Sequence, residues 1–327
     1  MFKGKTILIT GGTGSFGKNF VKFLMANYEF EKLIVFSRDE LKQYHLQKEL
    51  GNDPRLRFFL GDIRDLSRLQ RAFRGVNIVI HAAALKQVPM LEYNPFEAVK
   101  TNILGSQNVI EAAIDQGVEK VLLISTDKAA QPVNLYGSTK LCAEKLFIDG
   151  NSYSPGRTGF ACVRYGNVLG SRGSVVETLL NNPAVETVQI THEKMTRFWI
   201  TLDQAFQLVL FALENMVGGE IFIPKIPSMK IIDLFEALAP GAKKQFIGIR
   251  PGEKLHEVLL TEQEALHARE LEKYFVILSE YLVRAELEKY QKIGQALPEG
   301  FKFSSDANQD WLTAPALLAL LNKIKIV

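Results

Sequence analysis

Thr6-Ile7-Leu8-Ile9-Thr10 runs without a break into Gly11-Gly12-Thr13-Gly14-Ser15-Phe16-Gly17. The first five residues form a β-branched apolar run that reads as a buried strand. The glycines then space a turn. Freedom at Gly11 makes the turn tight, and Gly14 lets the backbone approach a pyrophosphate. Gly17 lets the next helix pack close to the sheet, with its N-terminus facing the phosphates. A bare glycine pattern carries little weight, but one that follows a strand and opens a helix has the required context. The stretch predicts the first βα turn of a dinucleotide-binding sheet, with Gly11, Thr13, Gly14, Ser15, Phe16 and Gly17 around the cofactor.

Working outward, short apolar runs recur at Leu33–Phe36, Leu56–Leu60, Ile78–Ile80, Val121–Ile124 and Phe160–Val163. Helical patterns lie between them: after Gly14, over Asp39–Leu50 and Asp65–Phe73, in a long stretch from near Asn94-Pro95 to near Gly117, and over Asn134–Asp149. Strand and helix alternating in this way predict an α/β chain with a Rossmann-like doubly wound parallel sheet, whose ligands bind at the carboxyl ends of the strands. The rhythm changes after Tyr165, with Pro-rich turns and a charged helical pattern over Glu262–Tyr274. We therefore expect a nucleotide-binding domain over residues 1–165 and a smaller, mixed α/β, mainly substrate-binding domain over 166–327. Ala285–Gly300 is charged and weakly patterned, and suggests no role.

The second strand ends at Phe36-Ser37-Arg38-Asp39. NAD sites usually carry an acidic residue at this point for the ribose 2′-hydroxyl. A hydroxyl at Ser37 and a guanidinium at Arg38 suit a 2′-phosphate instead, so NADP is expected over NAD. The alternative is that Arg38 stacks on adenine and either cofactor binds. Asp39 reads as the cap of the next helix. Asp62, in Gly61-Asp62-Ile63, reads equally well as an adenine contact and as a turn residue.

Composition narrows the class. The 327 residues are 47% hydrophobic and 23% charged, ordinary globular values. A net charge of +3 argues against nucleic acid or a membrane surface as partner. Cys142 and Cys162 sit in apolar stretches without ligand spacing and read as reduced thiols; His192 and His256 have no pairing that suggests a metal. No signal peptide and no apolar run of spanning length are visible, so a soluble cytoplasmic protein is expected.

The strand Val121–Ile124 ends in Ser125-Thr126-Asp127-Lys128-Ala129, and Tyr136-Gly137-Ser138-Thr139-Lys140 follows. Tyr136 and Lys140 are four apart and share a helix face. A nearby ammonium and a positive nicotinamide would bring the tyrosine into range of general-base work. The pair alone would read as an ordinary helix face; with the glycine turn and a hydroxyl at the strand end it reads as catalytic.

The chain resembles the extended short-chain dehydrogenase/reductase family through the glycine turn, Asp62-Ile63, His81-Ala82-Ala83-Ala84, Asn102 and the Tyr136/Lys140 pair. Its likeness is greatest to the soluble, inverting UDP-N-acetylglucosamine 4,6-dehydratases, the branch that opens pseudaminic-acid-type sugar synthesis. The motifs that carry this are Phe36-Ser37-Arg38-Asp39-Glu40, Ala84-Leu85-Lys86-Gln87-Val88-Pro89, Ser125–Ala129, Met195-Thr196-Arg197-Phe198 and Arg250-Pro251-Gly252-Glu253-Lys254. Asp followed by Lys at 127–128 separates this branch from epimerases and from the Asp-Glu dehydratases. Gln87 departs from the usual histidine.

The resemblance implies that Ala82, Ala83 and Ala84 line the cofactor. It implies that Tyr136, tuned by Lys140, takes the proton of the sugar 4-hydroxyl as hydride leaves C4. Lys128, kept partly neutral by desolvation, then removes the C5 proton, and Asp127 protonates the departing 6-hydroxyl. Lys86, Thr126, Asn167, Arg197, Arg250 and Glu253 would hold the UDP-sugar. Dimers or hexamers are implied.

Overall fold

The computed structural model describes residues 1–171, 173–182, 184–279 and 288–323. The opening strand β1 (Thr6–Thr10) lies inside a mainly parallel ten-stranded sheet, third from one edge. On one side it pairs with β2 (Lys32–Ser37), which pairs with β3 (Leu56–Leu60). On the other it pairs with β4 (Ile78–His81), followed outward by β5 (Lys120–Ile124) and β6 (Gly159–Val163). The chain thus reverses its direction of travel across the sheet between β1 and β4. At such a switch point two neighbouring crossovers part, and a crevice opens beyond the strand ends.

Ile7, Leu8, Ile9, Val79, Ile80, Val121, Leu122 and Leu123 have no exposed surface, as strands covered by helices on both faces require. The helix Ser15–Asn27 stacks Phe16, Phe20 and Phe23 against Phe206 of the helix Leu202–Asn215. That second helix begins with a reciprocal capping box between Thr201 and Gln204.

The second half of the chain does not stand apart from this sheet. Ile221–Pro224 adds to β6 in parallel, and Tyr274–Ile277, Ala268–Glu270 and Gln295–Ala296 extend it antiparallel. The remainder builds a smaller core around Leu169, Val176, Trp199, Met229, Leu234 and Leu317. Its short strands Asn167–Val168, Thr196–Ile200 and Ser228–Lys230 form a three-stranded sheet.

One periodicity reading is corrected. The charged pattern over Glu262–Tyr274 is helical only at Glu262–Ala265; Ala268–Glu270 and the segment from Tyr274 pair as strands. The long helix expected from near Asn94-Pro95 to near Gly117 runs uninterrupted over residues 95–116, with one π-helical turn at Val99–Leu104. Residues 285–287 of the uncharacterised stretch lie outside the described residues; the rest contains the helix Glu288–Ile293 and an edge strand.

Candidate active site

A cleft runs along the carboxyl ends of β1, β2, β4, β5 and β6. Its outer part, about 420 Å³, is lined by Gly11, Thr13, Gly14 and Ser15, by Ser37, Arg38 and Lys42, by Asp62 and Ile63, and by Ala82, Ala83 and Ala84. Its inner part, about 470 Å³, adds Phe16, Gly17, Thr126, Lys128, Tyr136, Lys140 and Asn167. The two share Gly11, Gly14, Ser15, Ala82, Ala84, Lys86 and Gln87, so they form one groove.

The glycine turn is built for close approach. Gly11 has φ +65, and a methyl group there would lie 2.8 Å from the Ala83 backbone. One on Gly17 would meet the Gly11 carbonyl at 2.5 Å. The helix behind the turn has no acidic residue in its first turn, and its cap, Gly14, makes no side-chain hydrogen bond. This cradle of backbone beneath a helix N-terminus fits a dinucleotide pyrophosphate.

At the end of β2, Asp39 accepts from the Lys42 backbone N–H at 3.0 Å and caps the next helix. Arg38 is more than half exposed and stands 3.8 Å from Asp62. Asp62 accepts from the Arg64 backbone and guanidinium, at 3.0 and 2.8 Å. It is therefore a turn residue that also lines the cleft. The Ser37 hydroxyl accepts from Gln43 at 3.0 Å.

Beyond β5 the chain makes a short 3₁₀ turn, Asp127–Ala129, and then the helix Leu135–Tyr153, capped by Asn134. Gly137 packs that helix directly on the turn: a Cβ there would lie 2.2 Å from the Lys128 carbonyl. Lys140 is buried and donates to the Ile124 carbonyl at 2.8 Å. Burial lowers its pKa to about 8, against the opposing charge of Glu144. Tyr136 is pushed up to about 12 by burial, which the Lys128 charge reaching the phenol only partly offsets.

Asp127 and Lys128 pair at 3.0 Å between Nζ and Oδ1. This is not a surface pair. Asp127 has no exposed surface, and one of its oxygens is buried without a hydrogen-bond partner among the described residues. Asp127 lies behind the wall of the cleft and reaches it through the Thr126 hydroxyl, which donates to Asp127 at 3.0 Å. Burial raises the Asp127 pKa, and the nearby Glu257 charge raises it further.

The partly neutral lysine expected at 128 is corrected. Asp127 and Glu257 (the latter at 3.5 Å) hold the ammonium more strongly than desolvation penalises it, and the pKa rises.

Glu257 and Lys254 are functional candidates that the sequence reading passed over. Glu257 is buried beside Lys128 and lies 3.7 Å from Arg197 and 3.5 Å from Lys254. Their attraction lowers its pKa against the effect of burial. Lys254 donates to the Ala130 carbonyl at 2.6 Å, and Asn134 donates to the Gly252 carbonyl at 2.7 Å. These two bonds fasten the Gly252–Glu257 segment onto the catalytic turn. The available signal was position: Glu257 lies three residues past the lysine of the Arg250–Lys254 motif.

The other residues expected on the substrate side fall in two places. Lys86, Thr126 and Asn167 line the inner cleft. Arg197 is buried and turned toward Glu253 (3.7 Å) and Glu257, while Arg250 is exposed; neither Arg197, Arg250 nor Glu253 lines the groove. No described helix is long and apolar enough to cross a membrane.

Comparison with known proteins agrees with this architecture. The family described as polysaccharide biosynthesis protein matches residues 7–279. A UDP-N-acetylglucosamine 4,6-dehydratase (inverting) from Campylobacter jejuni is 49% identical over 98% of both chains. A UDP-glucose 4-epimerase from Rickettsia conorii is 43% identical over 85% of this chain and 84% of its own. The solved structure of Pen from Bacillus thuringiensis superposes with a TM-score of 0.90 at 38% identity, covering all of both chains. A glycine cradle, an Asp-Lys pair and a tyrosine helix on one doubly wound sheet, with relatives this similar over this length, make the chain a member of the polysaccharide biosynthesis protein family of short-chain dehydrogenase/reductase-type enzymes.

Proposed function

We propose that the chain is a UDP-N-acetylglucosamine 4,6-dehydratase of the inverting type that works with a tightly held NADP. The observation that carries this reading is the Asp127–Lys128 pair at the end of β5, with Asp127 buried and Lys128 on the groove wall. It stands beside Tyr136, in a groove continuous with the glycine cradle. The similarity to the Campylobacter enzyme over nearly the whole chain supports the substrate. The hydroxyl of Ser37 and the exposed guanidinium of Arg38, at the outer end of the groove, support NADP over NAD.

The dinucleotide, when bound, supplies a hydride acceptor at the sugar C4 that later returns the hydride to C6. The chain's own residues handle the protons. Tyr136 takes the proton of the 4-hydroxyl; a positive charge brought into the groove lowers its pKa from the raised resting value. The new ketone acidifies C5–H, and Lys128, which lines the inner groove, receives that proton. Asp127, with a pKa raised by burial, supplies a proton to the departing 6-hydroxyl by way of Thr126. Lys86 and Asn167 lie where a sugar diphosphate would extend along the groove.

The test is proton NMR of the purified protein with UDP-N-acetylglucosamine in deuterated water, without added nucleotide. The expected result is loss of the hydroxymethyl signal, a new methyl group, deuterium at C5 and an inverted C5 coupling pattern. The similarity to an epimerase favours one other reading, UDP-sugar 4-epimerisation. That reaction needs Tyr136 but neither Asp127 nor Lys128. A galacto product without a methyl signal, or full turnover by Lys128→Ala, would establish it instead.

A further inference from the structure

Glu257 enters the site from a segment about 130 residues downstream of the catalytic turn. It touches none of the cleft, and is nevertheless buried against the one lysine on which the elimination turns. A buried carboxylate is costly unless it is compensated. Glu257 is surrounded on three sides: Lys128 from the 3₁₀ turn at 3.5 Å, Arg197 from the strand Thr196–Ile200 at 3.7 Å, and Lys254 from its own segment at 3.5 Å. Lys128 is foremost among these three charges in lowering the Glu257 pKa. What the contact does in return for Lys128 calls for an explanation of its own.

The proton inventory of the reaction supplies one. This argument rests on the dehydratase reading. For elimination, Lys128 must start neutral and Asp127 must start protonated. Lys128 then takes the proton from C5, the C5–H electron pair forms the C5–C6 double bond, the C6–O bond breaks, and the Asp127 proton leaves with the hydroxyl as water. The pair finishes as ammonium and carboxylate. Its starting form is thus the resting ion pair after one proton has crossed the 3.0 Å contact between Lys128 and Asp127. Both forms hold one proton between two groups. The site works only while that count is kept: a pair that has lost the proton has no acid, and a pair with a second proton has no base. We infer that Glu257 is a positioning residue whose fixed negative charge keeps the proton on the Asp127–Lys128 pair.

The charges facing the pair agree with this. Lys128 also feels Arg197, which opposes the ammonium, and lies in the field of Lys86 and Tyr136. Arg197, Lys86 and Lys254 all draw the proton off. Asp127 and Glu257 are the anions that hold Lys128 charged, and Glu257 also favours the protonated form of Asp127. Removing the Glu257 charge leaves the three opposing cations in place, so both protonation steps of the pair move to lower pH.

The experiment follows the labelled ε-carbon resonance of Lys128, assigned with Lys128→Arg, as a function of pH, together with the pH profile of kcat/KM. Wild-type Lys128 is expected to stay charged above the ordinary lysine range, and in Glu257→Gln to titrate at least about one unit lower. The acid limb of the profile should move down with it, and Glu257→Asp should restore both. A wild-type Lys128 that is neutral below about pH 9 overturns the inference, with no variant required. So does a Lys128 titration unmoved in a folded Glu257→Gln. A wild type that makes no methyl product defeats the dehydratase reading alone, because the Lys128 titration still tests the hold of Glu257 on the proton.

Discussion

Substituting Gly137 by alanine tests how closely the tyrosine helix is set against the catalytic turn. The new Cβ would stand 2.2 Å from the Lys128 carbonyl and 3.1 Å from the side chain of Pro132. The carbonyl belongs to the backbone and cannot swing away. To reach an ordinary 3.4 Å contact, helix and turn must separate by about 1.2 Å. Overpacking of this kind costs about 1–3 kcal/mol. Alanine recovers roughly 1 kcal/mol of helix propensity at the same position, so the net loss of stability is about 0–2 kcal/mol.

The effect on activity is larger, because the displacement falls between Tyr136 and Lys128. A misplacement of about 1 Å at reacting groups costs on the order of 100-fold in rate, or about 2.7 kcal/mol of barrier. We expect Gly137→Ala to fold, to bind nucleotide and to lose about 100-fold in kcat. The assays are methyl-signal formation by NMR and a thermal melt of the same preparation. A variant that keeps kcat within about threefold of wild type would refute the argument that this contact sets the register of the two groups.

Three other perturbations probe separate parts of the molecule. Wild type should bind NADP more tightly than NAD by calorimetry, and Arg38→Ala should narrow that ratio by about tenfold, the loss of one charge-assisted contact to phosphate; tighter binding of NAD to wild type would sink the 2′-phosphate reading. Arg164 is fully buried between Glu144, at 2.6 Å, and Glu264, at 2.8 Å. Arg164→Met should therefore cost roughly 3–5 kcal/mol in urea unfolding by leaving Glu144 uncompensated, and a change below about 1 kcal/mol would contradict this. Lys140 titrates at about 8 in the fold against about 10.5 for a free lysine. Between these values the unfolded chain binds the extra proton, so the Lys140 contribution to stability is least favourable below pH 8 and improves as pH rises toward 10.5. Lys140→Met should thus exceed wild type in stability by more at pH 7 than at pH 9.5; a difference flat with pH would exclude the depressed pKa.

The parts of the site legible in the sequence are those set by local spacing. The run from Thr6 to Gly17 specifies strand, turn and helix together, because the steric demand of each glycine is met within the turn or by the adjacent strand. Tyr136 and Lys140 share a face through helical periodicity alone. Asp39 was readable as a helix cap because a cap bonds to a backbone N–H only three residues on. The Glu262–Tyr274 segment was misread because its charges mimic a helical face, whereas pairing with the sheet edge decides its conformation. The π-helical turn inside the long helix, Val99–Leu104, was likewise invisible. It accompanies Asn102, whose side chain bonds both backbone groups of Leu85 and the Thr139 hydroxyl, contacts that exist only after folding.

The sequence by itself determined the nucleotide cradle, the parallel sheet and the residues at the end of β5, since 3.6- and 2-residue periods act within a few residues. Only the tertiary structure decided what those residues are. It placed Asp127 behind the cleft wall, gave Lys128 its charge, and brought Glu257, Lys254 and Arg197 around the pair. A protonation state depends on burial and on every charge within several ångströms. Residues that close in space lie about 70 and 130 positions apart in this chain, beyond the reach of any local pattern.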